Sequence, residues 1–258
     1  MSKNLIKSTV LVLAALGSGS LQAAPINTGG DLSIVFQGFE AGSERVGWIN
    51  ESRLDSSLGG WARVSAGMYS MTLHGGEDNV APSNVFWGDG KDFNAFCIQT
   101  WQALTTSGGP IGGYSLWSLG EYLNSPPHGN ALPTDAFSRI STLFSLTDVG
   151  EEHEGTIVLG DNVGTDAAFQ LALWGIINGD DFEFSGFGDA GQHVDGWMSA
   201  IGDAGNQPTS RLDFYVLSSE TSQDLLVWKT AAATEVPLPA TLWLMLAGIL
   251  GVGLARRS

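Results

Sequence analysis

The chain has one cysteine in 258 residues, Cys97, so it cannot form a disulfide within itself. Basic side chains are also scarce: 11 Lys and Arg stand against 27 Asp and Glu, a formal net charge of -16. Such a surface repels phosphate backbones and argues against nucleic acid as a partner. There is no H-E-x-x-H pattern, and His74, His128, His153 and His193 are far apart, so no metal centre is expected. G-x-S-x-G, Walker and dinucleotide patterns are missing, and no spacing among the acids selects a pair for glycoside cleavage. The chain therefore reads as a non-enzyme that needs no cofactor. Glu77, Asp78, Asp89 and Asp92 do not follow the calcium-loop pattern and read as a solvated acidic loop.

Glycine is abundant, at 35 residues, and nine tryptophans are spread along the chain. That mixture suits a turn-rich β fold with ample core material. Both ends have the layout of addresses. Lys3 and Lys7 precede an apolar run, and small residues follow up to Leu21-Gln22-Ala23-Ala24-Pro25. This is the layout of a secretory signal peptide over residues 1–23, cleaved after Ala23. At the other end Val236-Pro237-Leu238-Pro239-Ala240 precedes a short apolar helix, and Arg256 and Arg257 follow. That helix, of roughly 15 residues, covers about 22 Å, short of the roughly 30 Å hydrocarbon core. The terminal arginines would stay on the cytoplasmic side.

Proline motif, short apolar helix and basic tail, in that order, resemble the PEP-CTERM sorting signal of Gram-negative bacteria in its VPLPA variant. The resemblance implies export, transient insertion in the inner membrane, recognition by an exosortase, and delivery to the cell surface or an exopolysaccharide matrix. The expected plan is a signal peptide over 1–23, a secreted domain over 24–230, and a linker with sorting signal over 231–258.

Within the secreted domain, residues 31–39, 61–67 and 68–74 alternate apolar and polar side chains, as half-buried strands do. A strand over Asn94–Thr100 carries Cys97 between Phe96 and Ile98. Residues 105–133 read as loop around the apolar piece SLWSLGEYL. Thr134 could cap a helix to about Phe144, since Phe137, Ile140 and Phe144 recur at helical spacing. Residues 180–191 read as an acidic surface loop, and 211–219 with 224–230 as a closing pair of strands. The expected class is α+β: a mainly antiparallel sheet or sandwich, with a small helical subdomain between the cysteine strand and a later glutamine helix.

That later helix spans Ala167 to Ile177, where every residue is apolar or glycine except Gln170. A helix apolar all round is buried, so Gln170 is expected to be buried too. Unpaired, its carboxamide groups would each cost about 1 to 3 kcal/mol. A lone thiol and a lone buried carboxamide admit two readings. One is an inert core cysteine beside a hydrogen-bonded glutamine. The other is a bond between them, formed as the sulfur attacks the carboxamide and expels ammonia.

The residues around the pair, Phe96-Cys97-Ile98 and Gln170 followed by Ala172, Leu173 and Trp174, resemble the thioester domains of bacterial surface adhesins. Those domains place an aromatic residue before the cysteine, an aliphatic one after it, and the glutamine in a Q-x-A-aliphatic-W context. Phe169 stands where their best-known members carry threonine or serine. The resemblance implies a Cys97–Gln170 thioester that acylates an amine or hydroxyl on a surface or matrix partner. The alternative is a non-covalent structural or polysaccharide-binding matrix component, with tryptophans such as Trp48, Trp61 or Trp197 stacking on sugars.

Overall fold

In the computed structural model the alternating N-terminal half forms β1 (Leu32–Phe39), β2 (Arg45–Asn50), β3 (Trp61–Ala66) and β4 (Tyr69–His74). Then come β5 (Asp92–Cys97), β6 (Ile111–Ser118), α1 (Leu119–Asn124), α2 (Ala136–Leu146) and the two-residue strands β7 (Glu152–His153) and β8 (Thr156–Ile157). The remainder is α3 (Thr165–Asn178), a 3-10 turn at Gly179–Asp181, β9 (Glu183–Ser185), α4 (Ala190–Ala204), β10 (Leu212–Ser219) and β11 (Leu225–Thr230). The structure describes residues 32–40, 43–51, 54, 60–74, 92–104, 109–124, 132–147, 152–153, 156–157, 164–204 and 212–230. The signal segment 1–23, the sorting residues Val236 to Ala240, Arg256, Arg257 and the loop acids Glu77, Asp78 and Asp89 lie outside them. Among the described residues no helix is long and apolar enough to cross a membrane.

The fold is α+β, and its strands pair antiparallel throughout. Six of them close a barrel in the order β1-β4-β5-β11-β10-β6, while β3-β2-β9 form a second sheet. The expected antiparallel sheet curls onto itself, and closure leaves those six strands no free edge. A bulge between Phe36 and Gly38 bends β1. Gly38 sits there at φ 135°, a backbone conformation that residues with a Cβ rarely adopt.

Helices α1 and α2 fall between the cysteine strand and the glutamine helix, in agreement with the expected subdomain. An aromatic stack clamps α2 and α3 to the barrel. Phe96 stacks on Phe169 at 4.4 Å and on Trp228 at 5.6 Å, and Phe144 meets Phe169, Phe214 and Trp228 within 4.8 to 5.0 Å. Phe169 is therefore the core partner of Phe96. Gly179 ends α3 at φ 70°.

Several local readings are corrected. Residues 180–191 are not one loop: Glu183–Ser185 pairs with β2, Ile49 opposite Phe184. Helix α4 was not legible because Gly191, Gly196 and Gly202 lower its propensity. Its apolar residues Val194, Trp197, Met198 and Ile201 nonetheless recur at helical spacing and join the core. Strand β6 begins at Ile111 and runs through Gly112-Gly113, a pair that reads as turn, yet it is held between β1 and β10. Asp92 belongs to β5, accepting a 2.6 Å bond from the Thr72 hydroxyl. Helix α2 starts at Ala136, with Asp135 rather than Thr134 at its N-cap.

Candidate functional site

The site arises where one ladder runs out. Strand β4 begins at Tyr69, opposite Ala95, whereas β5 continues two residues further to Cys97. On the other side of β5, Leu225 stands opposite Cys97, and the next N–H, of Ile98, donates to the Asp224 carbonyl at 3.0 Å. Backbone groups of successive strand residues point to opposite sides. The N–H and C=O of Cys97 therefore face the side from which β4 has already departed.

Gln170 fills that place. The Cys97 N–H donates to the carboxamide Oε1 at 2.8 Å, and the carboxamide Nε2 donates to the Cys97 carbonyl at 2.7 Å. The side chain thus acts as one residue of a missing strand. Cys97 is 0 % exposed and Gln170 1 %. Covalent geometry then puts the carboxamide carbon no more than about 8 Å from the Cys97 sulfur.

The thiol has its own partner. Its S–H donates to the Tyr69 phenol oxygen at 2.8 Å. Tyr69 is held between two rings, Phe36 edge-on at 5.4 Å and Phe39 tilted at 4.8 Å. Burial pushes the Cys97 thiol well above its ordinary pKa, outweighing the opposite pull of the Tyr69 bond. Burial raises the Tyr69 phenol as well, and the neighbouring thiol adds to the effect. Both groups are protonated at neutral pH.

A groove of about 370 Å³ opens beside the pair, and Tyr69 lines it together with Phe36, Phe39, Arg63, Trp101 and Trp174. Among the described residues the buried Trp174 indole N–H has no hydrogen-bond partner, nor has the Oε1 of Gln102, another lining residue. Asp166, Gln170 and Trp174 are spaced by four residues and share one face of α3. Asp166 is pushed up to about 7, chiefly by burial and then by the charge of Glu40.

On the β11 side lies a buried polar network. Asp224, 0 % exposed, accepts from the Tyr122 hydroxyl at 2.7 Å, the Gln99 amide at 2.7 Å and the Ser219 N–H at 2.8 Å. Gln223 donates to the Gln99 carbonyl at 2.7 Å, and the Tyr114 hydroxyl donates to the Gln223 carbonyl at 3.1 Å. Burial above all pushes the Tyr114 phenol to about 12. This network fixes the chain just beyond Cys97.

The structure brings Cys97, Gln170 and Trp174 to one place. Phe96, on the opposite face of β5 from Cys97, belongs to the aromatic stack, while Ile98 and Ala172 are buried core. Tyr69, the Gln99–Asp224 network and the groove were not singled out from the sequence. Tyr69 stood in an ordinary alternating strand, and nothing local marked it. Of the tryptophans considered for sugar stacking, Trp48 is 48 % exposed, whereas Trp61 and Trp197 are half-buried.

Chemically, the arrangement presents a hydrogen-bonded carbonyl within about 8 Å of a thiol. The Cys97 N–H points at Oε1, where negative charge would develop if the sulfur attacked the carboxamide carbon. No group of three or more metal-ligating side chains occurs among the described residues.

No family model and no curated protein matches the chain. Among solved structures, two chains of a pilus-presented adhesin (Cpa), one of them a cysteine-to-alanine mutant, align with 77 % and 78 % of this chain. They are 13 % and 14 % identical, with a TM-score of 0.36 in both cases. The chain spans 62 % of the mutant and 93 % of the other. At that TM-score the likeness carries no argument about this chain.

Proposed function

We propose that the chain is an exported, surface-sorted, adhesin-like protein whose Cys97 and Gln170 condense into an internal thioester. The thioester then acylates an amine or hydroxyl on a cell-surface or matrix partner. The observation that carries this is the two-bond clamp of Gln170 on the backbone of Cys97, which keeps the electrophilic carbon within about 8 Å of the only thiol. The sulfur bonds to the carboxamide carbon, the C–N bond breaks, and the thiol proton leaves with the nitrogen as ammonia. A nucleophile later takes the acyl group and regenerates the thiol. Each molecule reacts once, so the activity is stoichiometric coupling and not enzymatic turnover. Sorting by an exosortase through the VPLPA tail, from the inner membrane to the surface, completes the reading and rests on the sequence resemblance.

Intact mass tests the central step. The purified domain should be lighter than its sequence mass by one ammonia and should take up methylamine. A full sequence mass with a thiol that alkylates readily on unfolding sinks the thioester.

A second reading is favoured by the same clamp. The two bonds to Cys97 already satisfy much of the buried carboxamide, so a non-covalent matrix component needs no further chemistry at this site. Under that reading Cys97→Ala and Gln170→Ala leave matrix retention unchanged in any variant that still folds. Under the first, both abolish covalent retention.

A further inference from the structure

We propose that Tyr69 is the proton-handling residue of the Cys97–Gln170 pair, its phenol carrying a proton between the sulfur and a nucleophile that arrives through the groove. The inference rests on the thioester reading and adds a residue that the sequence did not single out.

Three observations carry it. Cys97 is completely buried, so no solvent-borne base reaches the sulfur directly. Tyr69 contacts that sulfur and also lines the groove, which makes its phenol a link between the two. Its position is fixed by the fold: Tyr69 stands opposite Phe39 in one ladder and opposite Ala95 in the other. Ala95 and Cys97 share a face of β5, so the Tyr69 ring is the diagonal neighbour of the thiol. The Phe36 and Phe39 rings leave it little freedom to swing away.

The atoms balance. When an amine opens the thioester, its nitrogen bonds to the acyl carbon and the C–S bond breaks. The amine gives a proton to the phenol oxygen while the phenol proton passes to the departing sulfur. The phenol ends as it began, the thiol is restored, and no bare thiolate is left in an apolar pocket, where it would be strongly disfavoured. Burial keeps the phenol protonated at neutral pH and so available as the donor. Glu44 is the charged group acting on Tyr69, and Cys97 also acts on a second phenol, that of Tyr114.

The test compares the full chain with Tyr69→Phe, which keeps the ring between Phe36 and Phe39 and removes only the oxygen. Intact mass reports the thioester, methylamine is the nucleophile, and urea unfolding reports the fold. Methylamine uptake should slow by about 100-fold in the variant, the usual scale of a lost general acid–base group. A variant that folds with the wild-type urea midpoint yet keeps its full sequence mass also supports the role, at the formation step. A variant short of one ammonia that reacts at the wild-type rate overturns it and leaves the thioester standing. A wild-type chain of full sequence mass removes the thioester, and the role of Tyr69 with it. Should Tyr69→Phe fail to fold, wild-type opening in heavy water decides: a slower rate is expected, and an unchanged rate overturns the proposal.

Discussion

The clamp on Cys97 can be weighed apart from any thioester by substituting Gln170→Met in a Cys97→Ala background, where no acyl bond can form. Methionine nearly matches glutamine in length and volume, so the cavity contribution is small. What is lost are the 2.8 Å bond from the residue-97 N–H and the 2.7 Å bond to its carbonyl. Both backbone groups lie at a buried position that β4 does not reach. Each buried group left unpaired costs about 1 to 3 kcal/mol, so the pair costs about 2 to 6 kcal/mol. At about 2 kcal/mol per molar urea, the unfolding midpoint should fall by about 1 to 3 M relative to Cys97→Ala alone. Hydrogen exchange at the residue-97 amide should accelerate in step. A midpoint shift below about 0.3 M, with that amide still protected, refutes the claim that Gln170 stands in for the missing strand.

Two further predictions concern the flanks of the site. Asp166 holds a raised pKa of about 7 against an ordinary 3.8, so the native state keeps a proton that the unfolded chain gives up. Its burden on stability is absent below the ordinary value, grows as pH rises toward about 7, and is complete above that. Partial exposure reduces it to about 2 to 4 kcal/mol. Asp166→Asn should therefore raise the melting temperature above neutrality and leave it unchanged near pH 3.8; an equal gain at both pH values would refute the assignment. Asp224→Ala removes the acceptor shared by the Tyr122 hydroxyl, the Gln99 amide and the Ser219 N–H. It should cost at least about 3 kcal/mol in urea unfolding, and a cost under about 1 kcal/mol would mean that the network rearranges freely.

What the sequence revealed follows the reach of its signals. The alternation in β1, β4, β10 and β11 is a local pattern, and those strands lie close to where it put them. The all-apolar α3 with one polar residue is also local, and it marked Gln170 as buried. Barrel closure, by contrast, depends on which strands meet, and β1 closing on β6 leaves no mark in either segment. Helix α4 was hidden by its three glycines, whose low propensity is overridden by packing against the core. Tyr69 lay beyond reach for the same reason as barrel closure. Its place beside Cys97 comes from the register of β4 on β5, and a strand residue shows only its face until its partner is known.

The end of β4 explains why one carboxamide can serve both a structural and a chemical reading. As an amide, Gln170 gives Cys97 both an acceptor and a donor, replacing two ladder bonds. Thioester formation would keep the acceptor, since Oε1 remains, but would remove Nε2 and leave the Cys97 carbonyl without that donor. The thioester state would then carry about 1 to 3 kcal/mol of lost pairing in a dry pocket. Acyl transfer to an amine would restore an N–H at the same carbon, able to face the same carbonyl, whereas transfer to a hydroxyl would give an ester with no such donor. The structural role of Gln170 and its proposed reactivity are therefore coupled. A strand end that needs an amide donor would hold the thioester at a disadvantage relative to both its parent and its amide product.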